Sequence, residues 1–204
     1  RMNLALRKQF ITVKAGTAVK EIKQGLEGLD VIVENRGKTE TLSAEKVLIA
    51  TGRVPNINKE ELDKLGVAYT RKGITVNASM ETSVPGIYAI GDVTGISMLA
   101  HSAAHMGIVA AANACGVQET MDYTAIPSCI FTTPEIAAVG LTEQECKAQN
   151  RKVVISKFNF AGNGKAITMG ETEGLVKLIA DAETHKLLGC HIMGPHASDL
   201  IMEG

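Results

Sequence analysis

Gly91 and Asp92 end an apolar run in the stretch IYAIGDVTGISMLAHSAAHMG, at positions 87–107. A carboxylate at the end of a strand can accept two hydroxyl hydrogen bonds, which is the bonding that a polyol or ribose chain requires. On local physics alone, an aspartate at this position could equally well cap the neighbouring backbone. The sequence therefore offers Asp92 as a candidate ligand for a hydroxyl-rich molecule.

An alanine-rich helix is predicted directly after this loop, from about Met98 to Cys115. The first turn of a helix leaves its backbone N–H groups without intrahelical partners, and such groups suit a carbonyl oxygen or an anion. The residues that would supply them are Met98, Leu99, Ala100 and His101. Because the helix is apolar nearly all round, we also expect it to be buried.

A second candidate contact lies in VLIATGRVPN, at positions 47–56. The continuously apolar residues 47–50 predict a strand buried on both faces, as in a parallel sheet. Ligands of open α/β sheets bind at the carboxyl ends of the strands. There Gly52, which has no Cβ, would let a flat ring or a phosphate approach closely. A tight turn that needs a permissive residue explains the same glycine, and the local pattern alone favours that explanation.

The composition limits the classes of protein to consider. The chain has 204 residues, of which 45% are hydrophobic and 21% charged, and its formal net charge is −1. No basic stripe with interleaved aromatic residues indicates nucleic acid. No apolar run approaches the roughly 18 residues that span a bilayer, and no signal peptide precedes the first element. We therefore expect a cytoplasmic globular protein with neither nucleic acid nor membrane as a partner.

The cysteines give no sign of a metal site or a redox pair. Cys115, Cys129, Cys146 and Cys190 are widely spaced and form neither a CxxC pair nor a zinc-ligand pattern. All four are expected to be small core or surface residues, with a packing role for Cys129.

The first 122 residues predict alternating helices and strands. A helix opens the chain, strands follow at 10–22 and around the turn-like NRGK, and a charged helix covers 59–67. GITVN and GIYAIGD predict two more strands before the long helix. These elements indicate an α/β arrangement.

The last third predicts a separate α+β arrangement. SCIFTTPEIAAVG predicts one strand, and LTEQECKAQN predicts a helix with Thr142 and Glu145 at capping-box spacing. Three strands follow at 152–160, 174–181 and 186–194, the last two as an antiparallel hairpin. AGNGKA, between the first two of them, is expected to be a loop.

Taken together, the segments resemble a known family. ATGRVPN followed by GIYAIGDV and MLAH resembles the flavin-dependent pyridine nucleotide–disulfide oxidoreductases. MLAH also resembles the dihydrolipoamide dehydrogenase branch of that family, as do IPSCIFTTPEIAAVGLTEQE, NGKAITMGETEGLVKLIAD and LLGCHIMGPHASDLI. The resemblance covers essentially the whole chain in the expected order.

The resemblance implies a fold and a division into domains. It implies α/β parts of doubly wound NAD- and FAD-binding domains, followed by an α+β interface domain for dimerisation. The implied limits are 1–52 for the NAD-binding part, 53–122 for the FAD-binding part and 123–204 for an incomplete interface domain.

The resemblance also implies cofactor contacts. Asp92, with Gly91, would hold the ribityl chain of FAD, and backbone N–H groups at 98–101 would meet a ring carbonyl of the flavin. Gly52 and Val19 would contact NAD. No metal site is implied.

The activity implied is the reoxidation of dihydrolipoamide through a redox disulfide and FAD, with hydride transfer to NAD. A homodimer is implied, with dihydrolipoamide or the lipoyl domain of a 2-oxoacid dehydrogenase complex as its partner. The glycine fingerprints and redox cysteines of the family would precede Arg1, and its His–Glu pair would follow Gly204. We therefore expect a C-terminal portion with no catalytic residue of its own, inactive alone.

Two alternatives remain open at this point. One is a portion of a sibling enzyme of the mercuric or glutathione reductase type. The other is a non-enzymatic dimerisation module, which predicts dimers without bound flavin.

Overall fold

The first 53 residues are organised around a three-stranded antiparallel sheet. In the computed structural model, which describes residues 1–26 and 28–204, a helix α1 (Met2–Lys8) is followed by β1 (Ala18–Gln24), β2 (Leu29–Asn35) and β3 (Lys38–Ala44), in the sheet order β1-β2-β3. Contacts between Cα atoms separate this unit, Arg1–Arg53, from a second one, Val54–Gly204.

The turn between β2 and β3 confirms the hairpin predicted around NRGK. Arg36 and Gly37 both have positive φ, 49° and 77°. Two successive residues with positive φ make the type I′ turn, whose twist matches that of the flanking strands. Asn35 pairs with Lys38 across the turn, which sets the register of the hairpin.

The prediction of a strand at residues 47–50 is wrong. No strand is assigned there, and the side chains of Leu48 and Ile49 are 89% and 72% exposed. A continuously apolar strand is buried only where strands flank it and helices cover both faces of the sheet. Within the described residues no strand pairs with this segment, so its apolar side chains stay exposed.

The second unit begins with small elements around a methionine-rich core. The charged helix α2 (Lys59–Leu65) is confirmed, and β4 (Tyr69–Thr70) pairs with β5 (Gly73–Ile74). The two strands predicted for GITVN and GIYAIGD are mostly wrong, since the first shrinks to β5 and the second to a single bridge between Glu81 and Tyr88. Strands this short form few backbone hydrogen bonds with a neighbouring strand. Packing against the methionine-rich core stabilises this part of the chain instead. The members of that core are Met80, Met106, Val109, Ala110 and Met121.

The long helix is confirmed as α3 (Ala100–Ala114), but its predicted burial is only half right. Met106 and Val109 are buried against the methionine-rich core, whereas Ile108 is 61% exposed. An apolar surface on all sides predicts burial only if neighbours cover every side. Among the described residues, the core covers one face of α3.

A five-stranded antiparallel sheet forms the last third of the chain. Its strands are β6 (Ser128–Ile130), β7 (Glu135–Gly140), β8 (Val153–Asn159), β9 (Leu175–Asp181) and β10 (Leu187–Gly194). They are ordered β6-β7-β10-β9-β8, so the last strand in the chain lies at the centre of the sheet. The predicted β9–β10 hairpin is confirmed.

Two predictions for this region need correction. The single strand predicted for residues 128–140 is a pair, β6 and β7, because the chain turns back at Phe131–Pro134, where the Thr133–Pro134 peptide bond is cis. The loop predicted for AGNGKA contains the start of helix α5 (Gly164–Met169). The side chain of Asn163 accepts a hydrogen bond from the Ala166 N–H at 3.0 Å, so an Asx cap starts this helix.

Helices α5 and α6 (Ala197–Leu200) pack on one face of this sheet. Successive side chains of a strand point to opposite faces, so Cys190 and Ile192 of β10 share a face and His191 takes the other. Cys190 and Ile192 belong to one core with residues of both helices. Its buried members are Ala137, Phe160, Ala166, Cys190, Ile192, Ala197 and Ile201.

Helix α6 is joined to β7 by a carboxylate. The Oε2 atom of Glu135 accepts from the backbone N–H of Ser198 at 2.9 Å and from its hydroxyl at 2.8 Å. These hydrogen bonds lower the pKa of Glu135, because they stabilise its ionised form. The charge thereby satisfies donors at the first turn of α6.

Helix α4 (Glu143–Ala148) lies on the other face of the sheet and begins with the predicted capping box. Thr142 Oγ1 accepts from the Glu145 N–H at 3.2 Å, and Glu145 Oε2 accepts from the Thr142 N–H at 2.8 Å. Lys177 on β9 donates to Glu143 at 3.0 Å, which ties the helix to the sheet.

His191 of β10 lies opposite Lys177 of β9, next to the Lys177–Glu143 ion pair. Both of its ring nitrogens are buried, and neither has a hydrogen-bond partner among the described residues. Burial lowers the pKa of His191, and the positive charge of Lys177 lowers it further, while Glu143 and Glu145 partly oppose both effects. The ring is therefore held neutral against the sheet.

The capping box gives a first prediction. Replacing Thr142 by alanine should lower the free energy of unfolding by about 1 kcal/mol, the typical cost of losing an N-cap side chain. The measurement is urea denaturation followed by circular dichroism. Thr168→Ala is the control, because Thr168 is an exposed threonine within α5 whose hydroxyl only donates to the Lys165 carbonyl. Equal effects of the two substitutions would show that the box adds nothing.

His191 gives a second prediction, for the dependence of stability on pH. Because the folded pKa lies below the ordinary 6.5, the unfolded chain takes up a proton that the folded chain does not. Stability should therefore fall as the pH drops below 6.5, by at most about 1.4 kcal/mol per pH unit from this residue, and be unaffected by it above that pH.

The check is urea denaturation of the original chain and of His191→Phe at pH 7.5 and 5.5. The variant should lose less stability between the two pH values. His105→Gln, at an exposed position of α3, should leave the difference unchanged. An identical loss in all three proteins would rule out His191 as the source.

Candidate functional site

Asp92 lies in a tight turn that the surrounding backbone fixes. Residues Gly91–Thr94 form one turn of 3₁₀ helix in which Gly91 and Thr94 are buried and Asp92 is exposed. The Thr94 hydroxyl donates to the Gly91 carbonyl at 2.8 Å, and the Gly95 N–H donates to the Asp92 carbonyl at 3.0 Å. The acidic residue predicted as a ligand is thus presented to the surface by a short, internally bonded turn.

The turn is in direct contact with α3. Gly91 has φ of 71°, and a Cβ built on it would lie 3.2 Å from the Cβ of Ala103. Its N–H donates to the thioether sulfur of Met106 at 3.2 Å. A side chain at position 91 would therefore be strained by its backbone and pressed against the helix. Through Gly91 the Asp92 turn thus contacts Ala103 and Met106 of α3, while the role of Asp92 as a ligand stays a prediction.

The start of α3 differs from the predicted start by two residues. The helix begins at Ala100, with Leu99 as its N-cap in an extended conformation, and no side chain caps it. Its first-turn N–H groups are therefore those of residues 99–102, and Met98 precedes the helix. A leucine has no side-chain acceptor, so the N-cap residue itself does not bond these donors, and the contacts predicted for residues 98–101 stay predictions.

His101 makes a contact that the sequence did not reveal. Its Nε2 lies 2.8 Å from the carbonyl oxygen of Pro127, the residue before β6. Because a carbonyl oxygen only accepts, Nε2 donates its N–H in this contact. The ring is held beside β6, while the backbone N–H of His101 stays in the first turn of α3.

Val19 and Gly52, the two predicted NAD contacts, belong to the first unit. Val19 is on β1, paired with Val33, and is 60% exposed. Gly52 has φ of 112°, and no atom lies within 4 Å of a Cβ built on it. The backbone conformation, rather than crowding, requires glycine here, and the space in front of Gly52 is open.

Sequence reasoning missed Met106 as a residue that shapes the site. Its position, three residues before Val109 on one face of the helix, indicated only a core residue. Nothing in its spacing shows that its sulfur accepts a backbone N–H from a turn fifteen residues earlier.

The described residues contain neither a metal site nor a membrane-spanning helix. In the part of the chain that the structure describes, no three His, Cys, Asp or Glu side chains are grouped so that they could bind a metal ion. No helix among the same residues combines the length and the apolar character needed to cross a membrane. What the site offers is an exposed carboxylate and backbone donors, a combination suited to hydroxyl groups and a carbonyl oxygen.

Comparison with known protein families matches nearly the whole chain. Residues 1–107 match the pyridine nucleotide-disulphide oxidoreductase family. Residues 126–204 match the dimerisation domain of pyridine nucleotide-disulphide oxidoreductases.

Individual relatives are similar over the same span. A dihydrolipoyl dehydrogenase from Thermus scotoductus is 44% identical over 202 residues, which cover 98% of this chain and 44% of the relative. One from Cupriavidus necator is 41% identical over 200 residues, covering 97% of this chain and 42% of the relative. The chain thus spans less than half the length of these curated relatives.

Solved structures share the fold. The crystal structure of LpdA from Mycobacterium tuberculosis has a TM-score of 0.87 at 25% identity, and the similarity covers 99% of this chain and 44% of that one. The HOCl-induced flavoprotein disulfide reductase RclA from Escherichia coli has a TM-score of 0.86 at 23% identity, covering 99% and 46%. With one family match over more than half of its residues and its fold repeated in these structures, the chain belongs to the pyridine nucleotide–disulphide oxidoreductase family.

Proposed function

We propose that this chain is part of a flavoprotein that reoxidises dihydrolipoamide through a redox disulfide and FAD, with hydride transfer to NAD. Family membership supports the reaction class, and the names of its relatives in Thermus scotoductus and Cupriavidus necator support the substrate. In this proposal residues 1–52 belong to an NAD-binding domain, residues 53–122 to an FAD-binding domain, and residues 123–204 to the interface domain.

One observation carries the flavin assignment: the turn that presents Asp92 packs against α3 near the start of the helix, with Gly91 beside Ala103, the fourth residue of α3. Asp92 would accept hydroxyl hydrogen bonds from the ribityl chain, with Gly91 allowing the close turn beside it. The backbone N–H groups of residues 99–101 would donate to a carbonyl oxygen at the pyrimidine edge, with Met98 alongside. FAD, when bound, supplies the two-electron and hydride chemistry, and the protein supplies orientation and electrostatics.

The helix also contributes charge stabilisation. The N-terminus of α3 carries a partial positive charge, worth roughly 0.3–1 kcal/mol to a negative group beside the first turn. No acidic residue occurs in the first turn of α3 to compete for it. Negative charge at the pyrimidine edge of a bound flavin would therefore be stabilised by the backbone dipoles of α3, without a charged side chain.

The NAD contacts and the partners are part of the same proposal. The open space at Gly52 would admit the nucleotide close to the backbone, and the exposed Val19 would add an apolar contact. The match to a dimerisation domain supports a homodimer formed through the last third of the chain. Dihydrolipoamide, free or on a lipoyl domain of a 2-oxoacid dehydrogenase complex, would be the substrate.

The thiol chemistry is not assigned to the four cysteines described above. All four are free thiols, and Cys146 and Cys190 are buried. Burial raises the pKa of Cys190, and together with the negative charges of Glu135 and Asp199 it also raises the pKa of Cys129. A raised pKa disfavours the thiolate that disulfide exchange requires. We therefore assign Cys129 and Cys190 no nucleophilic role.

A third prediction tests the proposed flavin-binding surface, which consists of Asp92 and the first turn of α3. It uses two flavins that share a ring but differ in the side chain. Riboflavin carries the ribityl chain, and lumiflavin carries a methyl group in its place. The chain should bind riboflavin more tightly than lumiflavin, as followed by flavin fluorescence. Asp92→Asn should reduce that preference about tenfold or more, because a hydrogen bond to a charged group contributes about 1.5–3 kcal/mol.

Asp199→Asn is the control, since it removes the same charge at an exposed position on α6. It should leave both affinities unchanged. Equal affinity for the two flavins in the original chain would remove Asp92 as the ribityl ligand. Dimers that bind neither flavin would favour the dimerisation-module alternative.

A further inference from the structure

A thioether accepts a backbone hydrogen bond from the Asp92 turn and so joins that turn to α3. Gly91 is buried, and a buried backbone N–H that finds no acceptor costs free energy, so such groups are almost always paired. Here the N–H donates to the Met106 sulfur, 3.2 Å away, and not to a carbonyl oxygen. The acceptor is therefore set by the identity of a side chain and is not guaranteed by regular secondary structure.

The sulfur is held in place from the core side. Met106 is fully buried and packs with Val109, Ala110, Met80 and Met121. A Cβ built on Gly107, the next residue, would lie 3.3 Å from the side chain of Ile90, the residue before the turn, so the turn and the helix are also close there. Packing of the methionine-rich core thus fixes the position of the acceptor to which the turn is bonded.

From these contacts we propose that Met106 is a positioning residue, whose thioether sets the backbone of the turn that presents Asp92 beside the first turn of α3. The consequence for flavin binding rests on the function proposed above, whereas the contact itself does not. Met106 touches neither ribityl chain nor ring in this proposal. It acts through the Gly91 backbone.

The direct test removes the acceptor and keeps the volume. Leucine fills nearly the same space as methionine but cannot accept a hydrogen bond. In Met106→Leu, hydrogen exchange of the Gly91 amide, followed by NMR without flavin, should quicken about five- to tenfold, the factor expected for one lost hydrogen bond. The Ala89 amide, which donates to the Met80 carbonyl at 3.1 Å, is the internal reference.

Two further variants separate positioning from packing. Met121→Leu changes a methionine of the same core whose sulfur accepts no hydrogen bond from the residues that the structure describes, and should leave Gly91 exchange unchanged. Met106→Gln restores an acceptor of similar length and should bring Gly91 exchange back toward the original rate. Equal acceleration at Gly91 and Ala89, or an unchanged Gly91 rate in Met106→Leu, would overturn the proposal.

Riboflavin affinity then tests the consequence. It should fall in Met106→Leu, recover in part in Met106→Gln and stay unchanged in Met121→Leu, whereas lumiflavin affinity should change little. Faster Gly91 exchange with unchanged riboflavin affinity would overturn the link to the cofactor. If the unaltered chain binds no riboflavin, the proposed flavin-binding surface is wrong. The exchange data still decide whether Met106 positions the turn.

Discussion

The close approach of helix α3 to the Gly91 turn is the constraint on which the candidate site depends. A side chain at position 91 would be crowded against Ala103, and the turn needs the positive φ that glycine adopts without strain. Because the helix is anchored in the methionine-rich core, the turn inherits its position from that core. Buried contacts therefore set the position of the turn that carries the exposed Asp92.

Local patterns were enough to predict those elements that stabilise themselves. The β2–β3 and β9–β10 hairpins and the capping box at Thr142 depend on residues close together in the chain, and all three were predicted correctly. The strand expected at 47–50 and the single strand expected at 128–140 were wrong, because their structure depends on partners distant in sequence or on a reversal within the segment. Hydrophobic patterning indicates which segments can be buried. Whether a segment is buried depends on the strands and helices that pack against it.

The candidate site divides in the same way. The order of the Asp92 loop and the alanine-rich helix could be predicted from the sequence, whereas the ligand roles given to them stay predictions. The helix start was misplaced by two residues, because Leu99 is an N-cap with no capping side chain and gives no sequence signal. Met106 could not be predicted at all, since a sulfur that accepts a backbone N–H across the packing between a turn and a helix is a tertiary interaction.

The position of β10 at the centre of the five-stranded sheet has a consequence for how the last third of the chain folds. Among the five strands of this sheet β10 comes after the other four in sequence, yet it separates β7 from β9. Before residues 187–194 arrive, the pairs β6–β7 and β8–β9 have no strand to join them, and each exposes an edge open to non-native pairing. Assembly of this sheet waits for β10, whose pairing with β7 joins segments distant in sequence, and such non-local contacts slow folding. During synthesis, the hairpin-forming segments must therefore stay apart from each other, and from other chains, until their central strand completes the sheet.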